Sequence, residues 1–144
     1  MKLADVNVLV YAFREDARDH VSYRAWLGDL IHGNEAYAAS EIVLSGFVRI
    51  VTHRRIFPIP TPVSAALRFV ETYKSQPNCV LITPGPRHWE IFAALCREAE
   101  AEGGLVADAY LAAMAIESGC EWITADRDYA RFPGLRWRHP LARA

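Results

Sequence analysis

The stretch that decides the fold is the opening one, Lys2-Leu3-Ala4-Asp5-Val6-Asn7-Val8-Leu9-Val10-Tyr11-Ala12-Phe13. Lys2 to Ala4 reads as a short strand ending at Asp5. From Val6 the apolar period changes, and Val6, Leu9, Val10 and Phe13 share one face of a helix. The same alternation continues outward from this unit. A second helix is predicted over Arg18 to His32, stopped near Gly33-Asn34, and a brief strand over Ala36 to Ala39. Ser40 can cap a third helix running to about His53. The segment Phe57-Pro58-Ile59-Pro60-Thr61-Pro62 is a rigid break within one domain. Pro62 then suits the first position of a helix to about Ser75, with Thr61 as its cap.

The second half repeats the rhythm. Val80 to Thr83 reads as a strand closed by Pro84-Gly85. A helix follows from Pro86 to about Ala101, then another from Leu105 to Ser118, ended by Gly119. Glu121 to Thr124 reads as a strand followed by a short helical turn, and Leu135 to Trp137 as a last strand. Strands separated by helices predict a short parallel sheet with helices on both faces, an α/β/α arrangement over residues 1–144.

In open parallel sheets, ligands collect beyond the carboxyl ends of the strands. Asp5 and Asn7 follow the first strand there, Glu41 follows the second, and Asp126 and Asp128 follow the strand at 121–124. Asp108 opens the helix that begins near Leu105. Glu41, Ser45 and Val48 form one stripe, and Leu105, Asp108, Ala112 and Ala115 another, so each acid heads an apolar or small-residue face. Singly, each acid has an ordinary explanation as a helix cap or a dipole partner. Together they bring carboxylates from four segments to one edge, with few bases near them in sequence. Burying carboxylates without a counter-charge costs several kcal/mol, roughly. The fitting counter-charge is a hard divalent cation that keeps several of its waters.

Competing acid-lined or nucleotide-binding designs lack their signatures. A phosphoacceptor receiver needs a lone Asp after its third strand and a late Lys, whereas Pro84 stands after 80–83 and the only lysines are Lys2 and Lys74. Neither Gly-x-Gly-x-x-Gly nor a phosphate-cradling Walker loop is present.

Composition agrees with a folded enzyme-sized domain. The 144 residues are 52% hydrophobic and 23% charged, which excludes a disordered chain. The longest apolar run, Ala109 to Ile116, is too short to span a membrane. Asp5 interrupts what would be the apolar region of a signal peptide. The three cysteines and five histidines have neither disulfide-framework nor zinc spacing, so a reducing cytoplasm is expected. The net charge of −1 gives no vote for nucleic acid. Yet 14 of the 16 basic residues are Arg, and five of these follow Asp126 against one acid, Asp128. Arginine's planar fork matches phosphate; a GC-rich coding sequence would also enrich it.

Four motifs, Asp5-Val6-Asn7-Val8-Leu9-Val10, Ser40-Glu41-Ile42-Val43, Asp108-Ala109-Tyr110-Leu111-Ala112-Ala113 and Thr124-Ala125-Asp126-Arg127-Asp128, resemble the successive motifs of PIN-domain ribonucleases, in order and over nearly the whole chain. Phe47-Val48-Arg49-Ile50-Val51-Thr52-His53, the segment at 84–89 and Arg131-Phe132-Pro133-Gly134-Leu135-Arg136-Trp137 resemble the VapC toxins of type II toxin–antitoxin systems. The resemblance implies an Mg2+- or Mn2+-dependent endoribonuclease, a homodimer, and neutralisation by a VapB-like antitoxin. It places the acidic quartet on Asp5, Glu41, Asp108 and Asp126. Metal would be held by Asp5, Asp108 and Asp126, while Glu41 would ligate it or orient water. Asn7, Thr124 and Asp128 would support these groups. Val6 departs from the Thr or Ser that many relatives carry there. Arg127, Arg131 and Arg136 are candidates to grip the RNA backbone. Alternative readings are a PIN-like module that binds without cutting and a structure-specific DNA nuclease. One further expectation concerns the helix after Glu41, which is apolar almost all the way round. It is predicted to supply an interface continuing toward Ile56 and Phe57, with Phe47 facing outward.

Overall fold

The first strand, β1 (Lys2–Ala4), ends where the period changes, and α1 (Val6–Phe13) follows with Asp5 as its N-cap, its carboxylate accepting from the Val6 N–H. The computed structural model describes residues 1–143. The remaining elements are α2 (His20–His32), β2 (Tyr37–Ala39), α3 (Glu41–Val51), α4 (Val63–Lys74), β3 (Cys79–Leu81), α5 (His88–Glu98), α6 (Gly104–Ser118), β4 (Glu121–Ile123), a 3-10 turn at Arg127–Arg131 and β5 (Trp137–Arg138).

All strand pairs are parallel, in the order β3-β2-β1-β4-β5. The sheet therefore grows outward from β1 in one direction through β2 and β3, and in the other through β4 and β5. The crevice between β1 and β4 is the point where the winding reverses, and ligands favour that place in open α/β sheets. Leu3 lies opposite Trp122 and Ala4 opposite Ile123, which fixes the ends of the two strands side by side. Helices cover the sheet to give three layers. α1 packs on α2 and α3, α3 on α4, and α5 on α6, which in turn meets β4. Four alanines of α6 (Ala109, Ala112, Ala113 and Ala115) are fully buried, and such small side chains let a helix approach its neighbours closely. Gly119, at positive φ, ends α6.

Three sequence expectations need correction. Phe47 does not face outward: it is 0% exposed and packs its ring against Phe13 and Phe69. The rest of α3's inner face, Val43, Leu44 and Val51, is buried with it. The apolar residues around α3 are thus used by α1 on one side and α4 on the other, and only Ile42 and, farther on, Ile56 stay substantially open. Thr61 does not cap α4. Pro62 itself is the N-cap, without a side-chain hydrogen bond, and the Thr61 hydroxyl accepts from Arg14 instead. Asp108 lies one turn inside α6 rather than in its first turn, because the helix starts at Gly104.

The cysteines are all free thiols. Among the described residues no helix is long and apolar enough to cross a membrane.

Candidate active site

A cavity of about 460 Å³ opens at the carboxyl end of β1 and β4. Three carboxylates line it: Asp5 from the end of β1, Asp126 from the loop after β4, and Asp108 from α6. Their placement follows from local structure. Asp5 is held because its backbone N–H continues the β1–β4 ladder to the Ile123 carbonyl while its side chain caps α1. Asp126 caps the 3-10 turn by accepting from the Asp128 N–H at 2.9 Å.

A small polar network ties the first and last of these together. The Thr124 hydroxyl, fully buried, donates to Asp5 Oδ2 at 2.7 Å and accepts from the Asp126 N–H at 3.0 Å. The Asn7 amide donates to Asp5 Oδ2, and its oxygen accepts from the Ala125 N–H. Asn7 and Thr124 thus join Asp5 to the 124–126 turn by hydrogen bonds. Asp128 contributes its backbone N–H to Asp126, while its side chain is solvent-exposed.

The electrostatics are those of crowded, buried acids. Burial pushes the Asp5 carboxyl up to about 6, against the pull of its Thr124 and Val6 hydrogen bonds, and the charges of Asp108 and Asp126 push the same way. Asp108 is also raised, by burial first and then by Asp126. The Tyr129 phenol is pushed far up by burial and by the neighbouring acids, so it stays protonated, and it donates to Asp108. None of the ion pairs among the described residues involves Asp5, Asp108 or Asp126.

Glu41 is not brought to this cavity. It lies on the α3 face turned toward α4, 71% exposed, and pairs with Lys74 at 2.9 Å. The α3 stripe that lines the acid cavity is the neighbouring one, Gly46, Arg49 and Ile50. A Cβ at Gly46 would stand 3.0 Å from Val6, so a larger side chain there would be tight. Arg136 is also elsewhere: it donates to the Gly119 carbonyl at the start of β4, the opposite end of the strand from Asp126. Arg127 and Arg131 are exposed on the turn that follows Asp126. Sequence reasoning did not bring Arg49, Tyr129 or Tyr11 to the cavity, and it read Ile56 and Phe57 as part of an interface rather than as cavity wall. A glycine in the middle of an apolar helix was the available signal for the stripe that faces the cavity.

Carboxylates that repel one another and lack a cationic partner suit a hard divalent ion. Among the described residues, however, no three His, Cys, Asp or Glu side chains converge closely enough to grip one directly.

Fold and site together define an acid-lined α/β/α domain, and the chain belongs to the PIN-domain family, whose profile matches residues 2–135. Within that family it is homologous to the VapC ribonucleases. It is 45% identical over 141 residues to ribonuclease VapC43 of Mycobacterium tuberculosis, covering 98% of this chain and 96% of that protein. It is 41% identical over 140 residues to ribonuclease VapC25 of the same organism, with coverage of 97% and 99%. Solved structures share the fold at low identity. One chain of VapBC2 from Rickettsia felis, bound to a DNA fragment from its promoter, aligns with a TM-score of 0.68 at 18% identity, over 95% of this chain and 96% of that one. VapBC-1 from nontypeable Haemophilus influenzae gives 0.68 at 15% identity over 98% of both.

Proposed function

We propose that this protein is a metal-dependent endoribonuclease, the toxin of a VapB–VapC-type pair, that hydrolyses RNA phosphodiester bonds. The observation that carries the reading is the meeting of Asp5, Asp108 and Asp126 in one cavity at the β1–β4 crevice, in a chain 45% identical to a VapC ribonuclease. These three carboxylates would hold Mg2+ or Mn2+ largely through water. Bound there, the ion would supply an acidified water and offset charge on the phosphorus in the transition state. Thr124 and Asn7 hold the Asp5 carboxylate in one orientation, and Tyr129 does the same for Asp108. Water adds to phosphorus as the bond to the 3′ oxygen breaks, and that oxygen takes a proton, leaving a 5′-phosphate and a 3′-hydroxyl. Glu41, paired with Lys74 outside this cavity, is assigned no part in this chemistry. Arg127 and Arg131, exposed on the turn after Asp126, would meet the RNA backbone, and Arg136, bonded to the Gly119 carbonyl, is assigned no such contact.

The partners follow from the same reading. A VapB-like antitoxin would offset the carboxylates with an arginine. A homodimer is proposed on the same kinship and is checked by sedimentation. A second reading, binding without cutting, draws on the loose spacing of the acids. Labelled RNA and DNA incubated with the purified protein, with Mg2+ or with EDTA, decide among these. Metal-dependent RNA cleavage supports the proposal, retention of uncut RNA supports the binding module, and cleavage of DNA alone supports a DNA nuclease.

A further inference from the structure

The cavity has a second half that hydrolysis does not use. The same cavity is also lined by Arg49, from the last turn of α3, and by apolar residues that include Tyr11 and Phe57. Among the described residues Arg49 is the one cation lining the cavity. Among the described residues its guanidinium forms neither a salt bridge nor a side-chain hydrogen bond, although three carboxylates share its cavity. It therefore does not serve as their internal counter-ion. A planar fork of donors left open beside a metal-suited site matches a phosphodiester oxygen pair.

Phe57 is held in advance. The Arg14 guanidinium lies 4.0 Å from the centroid of its ring. Arg14 is itself fixed by both oxygens of Asp16, by the Ile59 carbonyl and by the Thr61 hydroxyl. The loop between α3 and α4 is thus pinned to the end of α1 with an aromatic ring at the cavity wall. A ring already immobilised loses little freedom when something packs on it. Aromatic rings beside a phosphate-binding cation form the usual platform for an unpaired base.

We infer that Arg49 and Phe57 form a nucleotide subsite beside the carboxylates, taking the phosphate of a single-stranded RNA on Arg49 and its base on Phe57, with Arg14 holding the loop. The inference rests on the ribonuclease reading and narrows its substrate to unpaired RNA, because a base within a duplex is already stacked on its neighbours.

The test measures binding of a short, fluorescein-labelled single-stranded RNA by anisotropy, in Mg2+, at several salt concentrations. An Asp108→Asn background keeps the RNA whole. Arg49→Gln is expected to weaken binding and to flatten the slope of log K against log salt by about 0.7, the share of one phosphate contact on a single strand. Phe57→Leu is expected to weaken binding about tenfold with the slope unchanged, and Phe57→Trp to restore it. Should Phe57→Leu fail to fold, RNAs carrying one abasic nucleotide at successive positions replace it. One position must then weaken binding about tenfold and the others little. A slope unchanged in Arg49→Gln, or an abasic series without a sensitive position, overturns the subsite while leaving the ribonuclease reading intact. Absence of any RNA binding by the Asp108→Asn protein, with no cleavage by wild type, overturns both.

Discussion

Asp5→Asn is expected to strengthen the metal-free protein at neutral pH. Asp5 is 5% exposed, and burial lifts its carboxyl from 3.8 to about 6. A carboxyl raised on folding leaves the native state fully stable below its unfolded value, and that stability is lost as pH rises through the folded one. At 1.36 kcal/mol per pH unit, the rise costs the native state about 3 kcal/mol from neutral pH upward. Asparagine carries no charge to bury, and its oxygen can still accept the Val6 N–H. Its amino group can donate to Thr124, but it opposes the amide of Asn7, a loss of about 1 kcal/mol. The net gain is about 2 kcal/mol above roughly pH 7, or about 4–8 °C in Tm. Well below pH 4, with Asp5 protonated in both states, the sign reverses and the variant becomes the weaker protein by about 1 kcal/mol. Urea unfolding of both proteins in EDTA, at steps across this range, measures the difference. Adding Mg2+ should stabilise the wild type more than the variant, since binding to the native state alone favours folding. A difference between the two proteins that does not vary with pH refutes the argument that a buried Asp5 charge strains the fold.

Other substitutions separate the roles of neighbouring residues. Asp108→Asn should lower RNA cleavage at least about a hundredfold, the range for removing one group that stabilises transition-state charge. Its circular dichroism should be unchanged, because Asp108 keeps only the Tyr129 contact. Glu41→Gln should leave the cleavage rate within about twofold and Tm nearly unmoved, as for a largely exposed ion pair; loss of cleavage would return Glu41 to the site. Phe47→Ala should cost about 3–5 kcal/mol in urea unfolding, as a truncation in a closed core. A cost below about 1 kcal/mol would mean that α3 is less enclosed than its packing against Phe13 and Phe69 indicates.

The sequence made legible what depends on chain order. Asp5 and Thr124 sit directly after strands, with Asn7 and Asp126 two residues further on, and strand ends in a parallel sheet share an edge, so their meeting required only the right topology. The fold class followed from the alternation of short apolar runs with helical periods. Helix phase was less accessible. Two adjacent stripes of α3, one headed by Glu41 and one through Gly46 and Arg49, are both mostly apolar, and which faces the crevice is settled by packing against α1 and α4. Motif order therefore brought Glu41 close in sequence but about a third of a helical turn away from the cavity. Arg14 was invisible for a different reason: its partners at Ile59 and Thr61 lie across a proline-rich loop whose path no local pattern dictates.

Pairing of β1 with β4 joins residues 2–4 to residues 121–123, and it places the site late in the life of the nascent chain. A polypeptide leaving the ribosome presents Asp5 early, but Asp126 and the Thr124 hydroxyl that orients Asp5 arrive more than a hundred residues later. Contacts so distant in sequence are slow to form, because the loop between them must close first. Until residue 126 is free to dock, the chain carries separate carboxylates and no assembled cavity. A chain cut short before β4 therefore lacks the Thr124 hydroxyl and the Asp126 carboxylate that complete the cavity.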